Sequence, residues 1–138
     1  MRKKPDPQPG FIYIFRDPLN NNLIKVGFSK DPLARRKQLH TTGTALPMTI
    51  YHVWHVSDKY LAEEAAHEIL NGHRVNGRRE FFEIAPLPRF SSFERTDYDI
   101  TSNFLYTLRG LIEEGWNFLA ITYHDASPED VYEAHPAT

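Results

Sequence analysis

Residues 10–39 constrain the fold of this chain more than any other part of the sequence. They contain two runs rich in β-branched and aromatic residues, at positions 11–15 and 23–28, which are typical of β-strands. Asp17, Pro18 and the three asparagines that follow favour a turn, because asparagine tolerates left-handed backbone angles and proline cannot continue a strand ladder. The sequence therefore predicts that the domain begins with a β-hairpin.

A short basic helix is predicted directly behind this hairpin. Asp31 supplies an N-cap carboxylate, and Pro32 suits the first helical position, so we expect a helix over residues 33–40. That helix carries the basic run Arg35, Arg36 and Lys37. Two strands and a basic helix thus lie in one compact unit.

Strands and helices continue to alternate in the middle of the chain. Alternating side chains predict a third strand over residues 48–56, with two largely apolar faces. Asp58 is placed to cap a second helix that ends near residue 70 and carries an apolar stripe. A loop over residues 71–79 and a fourth strand over residues 80–84 follow.

The last third of the sequence predicts one more helix–strand pair and a terminal helix. Ser102 is expected to cap a helix that ends at Gly115, because apolar residues repeat there at helical spacing. Residues 116–123 are interpreted as a buried strand, and residues 127–134 as a short acidic helix.

This order of elements predicts an α+β fold. We expect a small mixed or antiparallel sheet flanked by helices, in the order β-β-α-β-α-β with a C-terminal α-β extension. The length of 138 residues suits one domain. Residues 1–9 are expected to form a flexible basic arm, residues 10–85 the main domain, and residues 86–138 an extension packed on it.

The charge of the chain is divided unevenly along its length. Residues 1–40 hold nine Lys or Arg against three acidic residues, whereas residues 41–138 hold seven against fifteen. A basic face favours an anionic ligand such as a nucleic-acid backbone. Charge alone favours the simpler reading, in which the same division keeps a small protein soluble, and it does not decide the function.

Composition excludes several classes of site. The chain has no cysteine, which rules out disulfides, thiolate metal sites and a cysteine nucleophile. It also has no apolar run long enough to span a membrane and no hydrophobic leader, so we expect a cytoplasmic, intracellular protein without membrane contact.

Five sequence fragments occur in an order and at spacings that are typical of one nuclease family. They are Phe11-Ile12-Tyr13, Lys25-Val26-Gly27 after eleven intervening residues, Arg35, Ala62-Glu63 with Ala66-His67, and Arg79-Glu80-Phe81-Phe82. With these fragments the chain resembles the GIY-YIG endonucleases, in particular the phage and bacterial branch whose second motif is KIG. The resemblance covers residues 10–84 and makes the main domain a nuclease domain of that type.

The resemblance implies a metal-dependent endonuclease that hydrolyses DNA in a single step. Its catalytic residues would be Tyr13, Lys25, Arg35, Glu63 and His67, with Tyr13 positioning or activating the attacking water. We expect Lys25 to lower the pKa of Tyr13 across the hairpin, and Arg35 to offer a planar fork of donors to the phosphate. Glu63 would hold one divalent ion, Mg²⁺ or Mn²⁺.

Several of these residues have a second interpretation. His67 could orient Glu63, four residues before it on the helix, or serve a structural role. Glu80 could complete the metal site or pair with Arg78 or Arg79. Tyr13 could simply pack its ring in a strand.

Other polar residues are assigned to nucleic-acid binding or to packing. Arg36, Lys37 and His40 are assigned to nucleic-acid binding, although ordinary solvation explains Arg36 and Lys37 as well. The scattered spacing of His52, His55 and His73 does not predict a zinc site, and His52 is interpreted as strand packing.

The alternative function is a noncatalytic module of the same fold that binds nucleic acid or a protein. DNA is the expected partner, with RNA as the other candidate, and we expect a monomer or a weak homodimer. In a third interpretation, the acidic C-terminal segment serves dimerisation or inhibition.

Overall fold

A computed structural model describes residues 6–41, 46–75, 80–84 and 98–135 of the chain. The predicted hairpin is confirmed: β1 spans Gly10–Arg16 and pairs antiparallel with β2, Leu23–Ser29. Side chains close the turn, since the Leu19 amide donates to Asp17 Oδ1 at 2.8 Å and the Asn22 amide donates to Asn20 Oδ1 at 3.1 Å. The turn residues thus act through the local hydrogen bonds that their side chains favour.

The next elements also follow the sequence prediction. Helix α1 spans Pro32–Thr41, strand β3 spans Thr49–Val56, helix α2 spans Lys59–Ile69, and strand β4 spans Phe81–Glu83. A single 3₁₀ turn, Asn71–His73, follows α2. Both predicted caps are present, because Asp31 accepts from the Ala34 amide at 3.1 Å and Asp58 from the Leu61 amide at 3.2 Å.

The C-terminal third differs from the prediction. Helix α3 spans Tyr98–Phe118, so it begins before Ser102 and continues past Gly115, and the predicted strand over residues 116–123 is wrong. Trp116 extends the buried stripe of α3 and donates from Nε1 to the Ala62 carbonyl oxygen at 2.9 Å. The apolar residues that follow Gly115 are compatible with a strand or a helix when the sequence is considered alone. Packing against α2 decides that they continue the helix.

Two short elements complete the fold. Strand β5 spans Tyr123–Asp125, and helix α4 spans Pro128–Ala134, where a short acidic helix is predicted. Ser127 and Asp130 form a capping box at the start of α4, an arrangement that satisfies two amides that a helix start leaves unpaired.

The five strands form one sheet in the order β4-β2-β1-β3-β5, and every pairing is antiparallel. The α+β class is therefore confirmed. One face of the sheet packs against α2 and α3, and the other against α1 and α4. Two apolar clusters separate the sheet from these helix pairs, and α3 and β5 contribute to the first.

Strand alternation decides which side chains share the α1 face. In β1, Ile12 and Ile14 belong to the cluster under α2 and α3, whereas Tyr13 belongs to the cluster under α1 and α4. Tyr13 is paired with Gly27 of β2, and Lys25 lies two residues before Gly27. Because side chains on one strand alternate between faces, Tyr13, Lys25 and Gly27 all lie on the face that carries α1.

Some predictions fall outside the residues that the structure describes, among them residues 1–5 of the basic arm and residues 85–97 of the extension. Within residues 6–9, the Gln8 carbonyl oxygen accepts from the Lys59 amide at 2.8 Å. In the described part of the chain, no helix is both long and apolar enough to cross a membrane.

Candidate active site

The Tyr13 hydroxyl lies at the bottom of a polar cluster on the α1 face of the sheet. Tyr13 is fully buried, and within the described residues its hydroxyl has no hydrogen-bond partner. A Cβ atom on Gly27 would lie 2.6 Å from this oxygen, so only glycine leaves room for it. In the sequence, Gly27 stands within a motif and has no assigned role, and the predicted hairpin that pairs it with Tyr13 is the signal that points to one.

Burial changes the acid–base behaviour of Tyr13. It raises the pKa of Tyr13 to about 12, and Glu80 and Glu63 add to the rise, while the nearby Arg35 guanidinium opposes it without reaching hydrogen-bond geometry. The expected lowering by Lys25 is therefore wrong. Lys25 is the cross-strand partner of Phe15 rather than of Tyr13, and its positive charge is compensated by the ion pair with Glu80.

The Tyr13 hydroxyl lies over the interior of the sheet. Strand β1 is the middle strand of the sheet, so the hydroxyl faces a helix layer. Because an ionised phenol is strongly disfavoured there, Tyr13 is protonated at neutral pH and acts as a neutral group.

Lys25 and Glu80 form an ion pair at the side of this cluster. Lys25 is 2% exposed and Glu80 35% exposed, and the Lys25 ammonium also lies 5.0 Å from the centre of the Phe81 ring. Burial lowers the pKa of Lys25, while Glu80 partly restores it. The ion pair thus compensates a cation that the sheet holds away from water.

Glu80 also faces Arg35, whose Nη2 lies 3.7 Å from Glu80 Oε2. The Arg35 side chain comes from α1, so Glu80 lies between cations of two elements. Arg78 and Arg79, the alternative partners of Glu80 in the sequence analysis, lie outside the described residues.

Glu63 reaches the cluster from α2, on the other side of the sheet. Its Oε2 accepts from the Phe28 amide at 3.2 Å, beyond the part of β2 that pairs with β4. Burial raises the pKa of Glu63, and Glu80 raises it further, while His67, the Phe28 amide and Lys25 oppose the rise. Glu63 therefore carries a partly buried negative charge that its neighbours compensate only in part.

His67 is hydrogen-bonded to the backbone rather than to Glu63. Its Nε2 lies 2.8 Å from the carbonyl oxygen of Val26, so the Nε2 hydrogen is donated to β2. His67 acts on Glu63 through charge alone, and its contact with the strand fits the structural interpretation better than the orienting one.

Glu63 is the carboxylate at this point that could hold a hard divalent cation. A cation beside Glu63 would offset both its burial and its repulsion by Glu80, and Mg²⁺ commonly binds one or two carboxylates and completes its shell with waters. Glu80 fits less well as a ligand, because its charge is already compensated by Lys25 and Arg35.

The three residues assigned to nucleic-acid binding lie on another side of α1. Arg36 donates from Nε to the Met48 carbonyl oxygen at 2.7 Å and is half-buried. Lys37 and His40 are exposed, and all three border a shallow surface cavity of about 280 Å³. The structure does not bring them into the Tyr13 cluster.

This architecture defines a small α+β domain with a polar cluster on one sheet face, and its sequence defines the family. Residues 10–95 match the T5orf172 domain, and the chain belongs to this family. It is a nuclease-associated domain of DNA-binding type. No significant match exists among curated proteins or among solved structures.

The family match corrects the resemblance to the GIY-YIG endonucleases, because the matching family is a different one and no GIY-YIG match occurs. The fragments behind that resemblance are strand triplets and a helix pattern of two to four residues each. Such short motifs recur in unrelated domains, and only their structural context gives them meaning.

Proposed function

We propose that this T5orf172 domain hydrolyses phosphodiester bonds of DNA with the help of one divalent metal ion, Mg²⁺ or Mn²⁺. The observation that carries the proposal is the group of charged side chains around Tyr13: Lys25 and Arg35 both face Glu80, and Glu63 is near enough to affect the pKa of Tyr13. A cluster of titratable groups with perturbed pKa values in one place is typical of a functional site.

The roles of the side chains follow from their chemistry. Arg35 is half exposed and 3.7 Å from Glu80, a loose contact that a phosphate can replace with two parallel hydrogen bonds to the guanidinium. Lys25 stays bound to Glu80 and adds positive charge behind the phosphate. Arg35 is thus the principal phosphate ligand.

Tyr13 acts as a neutral hydroxyl in this proposal. With a pKa raised to about 12, its hydroxyl holds the attacking water or a phosphate oxygen by hydrogen bonding, and it does not serve as a phenolate base. Its hydroxyl is buried without a partner among the described residues, so a substrate group that enters the cluster would supply the missing hydrogen bond.

Glu63 would hold the metal ion in this site. When bound, such an ion supplies positive charge that stabilises the leaving oxygen and the pentacoordinate phosphorus. His67 keeps α2 joined to β2, so it fixes the position of Glu63 from one helical turn away.

The nucleic acid would also contact the exposed surface of α1. Lys37 and His40 face solvent there, and the half-buried Arg36 lies between them and β3. Contacts of this kind are to the backbone, so binding should weaken with salt and depend little on sequence.

The test is a cleavage assay with plasmid, single-stranded and branched DNA, with RNA alongside, in Mg²⁺ or Mn²⁺ and in chelator. Arg35→Ala and Glu63→Gln should each reduce cleavage at least about a hundredfold, on the scale of losing one charge-stabilising group. The matched controls are Lys30→Ala and Glu64→Gln, which change exposed charges nearby and should leave the rate unchanged.

Two outcomes would contradict the proposal. Cleavage that survives in both Arg35→Ala and Glu63→Gln would place the activity elsewhere. Absence of cleavage by folded protein that still binds DNA would favour a noncatalytic binding module.

A further inference from the structure

A group of side chains of the kinds that ligate metal ions lies on the opposite face of the sheet, under α3. It consists of His52 from β3, Glu113 from α3 and Asp125 from β5, and their potential ligand atoms all lie within 4.8 Å of one another. His52 Nε2 lies 2.8 Å from Asp125 Oδ1. Three different elements therefore deliver one nitrogen and two carboxylate groups to one point.

The sheet register assembles this group from distant parts of the chain. Asp125 is the cross-strand partner of Trp54, two residues after His52, so all three side chains share the α3 face. The β1–β3 pairing shifts register between Ile14 and Phe15, beside His52. Such bulges re-aim side chains next to functional sites.

Neighbouring groups hold the cluster in place. Trp54 donates from Nε1 to Glu113 Oε2 at 2.8 Å, and its ring packs edge-on against His52 with centroids 4.6 Å apart. Outer partners of this kind orient metal ligands and are part of working metal sites. Arg109 faces the group as a cation, with Nε 4.0 Å from Glu113 Oε2, so two carboxylates outweigh one positive charge.

We propose that His52, Glu113 and Asp125 bind a zinc ion. One imidazole nitrogen and two carboxylate oxygens are ligands that zinc accepts, and water can complete a tetrahedral shell. The imidazole favours zinc over Mg²⁺. Asp125 is 65% exposed, which leaves the ion a path from solvent.

The site would stabilise the fold. It joins β5 and α3 to β3, and β5 pairs with the sheet through only three residues. A ligand that binds the folded chain alone raises its stability. The proposal does not depend on the proposed nuclease function, because it involves none of the residues around Tyr13.

The test is zinc binding to the full chain by calorimetry, with the wild type compared with His52→Gln, Asp125→Asn and Glu63→Gln. We expect one zinc ion per chain in the wild type and in Glu63→Gln, and at least a tenfold weaker affinity in His52→Gln and in Asp125→Asn. His124→Gln is the matched control, since His124 is an exposed histidine of β5 that stacks on His55.

Two further readouts separate ligand loss from misfolding. Co²⁺ should quench the fluorescence of Trp54 in the wild type and not in His52→Gln. Zinc should raise the Tm of the wild type, while the metal-free Tm of Asp125→Asn stays close to that of the metal-free wild type.

The proposal is overturned if folded wild-type protein binds no zinc. It is also overturned if His52→Gln and Asp125→Asn bind zinc as tightly as the wild type, or if Mg²⁺ competes for the same ion site at equal affinity.

Discussion

Gly27 and Tyr13 face each other across the β1–β2 hairpin, and a Cβ atom on Gly27 would stand 2.6 Å from the Tyr13 hydroxyl oxygen and 3.0 Å from Cζ. The same atom would lie 3.4 Å from Glu80 Oε1. The missing side chain at position 27 therefore creates the space in which the tyrosine hydroxyl and the glutamate meet. This relationship gives a direct test of whether the cluster serves packing or chemistry.

Gly27→Ala should destabilise the protein and abolish cleavage. The new methyl group overpacks a buried region, which costs about 1–3 kcal/mol, and it displaces the Tyr13 hydroxyl. Urea denaturation measures the first effect, with Gly72→Ala as control because a Cβ there meets nothing within 4 Å. Combining Gly27→Ala with Tyr13→Phe should recover part of the loss in stability, and a fully additive double variant would contradict the contact.

Tyr13→Phe should separate stability from activity. The Tyr13 hydroxyl is buried without a partner among the described residues, and an unsatisfied buried polar group costs about 1–3 kcal/mol. The variant should thus be as stable as the wild type or up to about 1 kcal/mol more stable, while cleavage is lost. Thermal unfolding and cleavage measured on one preparation check this, and a clear drop in stability would show that the hydroxyl is satisfied.

Removing Glu80 should cost more stability than removing Lys25. Glu80→Gln leaves the buried Lys25 ammonium without its counter-charge. Because Glu80 is 35% exposed, we expect a loss of about 1–3 kcal/mol in the free energy of unfolding, less than for a fully buried pair. Lys25→Met keeps the apolar stem and removes the charge, at about 1 kcal/mol or less. Denaturant titrations decide the order, with the exposed Glu83→Gln of β4 as control; equal losses would argue against the pair.

Glu63→Gln should stabilise the metal-free protein near neutral pH. Because the pKa of Glu63 is raised by burial, the folded chain holds this proton more tightly than the unfolded chain, so stability falls as pH rises through the raised pKa. The gain from Glu63→Gln should be present at neutral pH and vanish below the ordinary pKa of a glutamate. Unfolding free energies across that pH range, without divalent ions, measure it; a gain that is independent of pH would exclude a titration origin.

Local sequence signals determined much of the fold. The hairpin, α1 and α2 are specified by the β-branched and aromatic runs at residues 11–15 and 23–28, by the turn residues after Asp17, and by the caps Asp31 and Asp58. Each of these signals depends on neighbours within a few residues. Arg35 and Glu63 were selected from the family resemblance instead, and the structure places Arg35 beside Glu80 and Glu63 beside the Phe28 amide. The short motifs led to the wrong family, because fragments of this length carry little information on their own.

Only the tertiary structure decided the long-range relationships. These relationships depend on residues that are far apart in the chain. They are the packing of Trp116 against α2, the pairing of Lys25 with Glu80, the raised pKa of Tyr13 and the approach of His52 to Asp125. Burial and charge depend on which elements pack together, and spacing along the sequence does not encode that packing. The sequence by itself thus determined where the strands and helices from β1 to β4 begin. Packing of the sheet against its two helix layers decided the C-terminal third, which polar groups meet and how strongly each holds its proton.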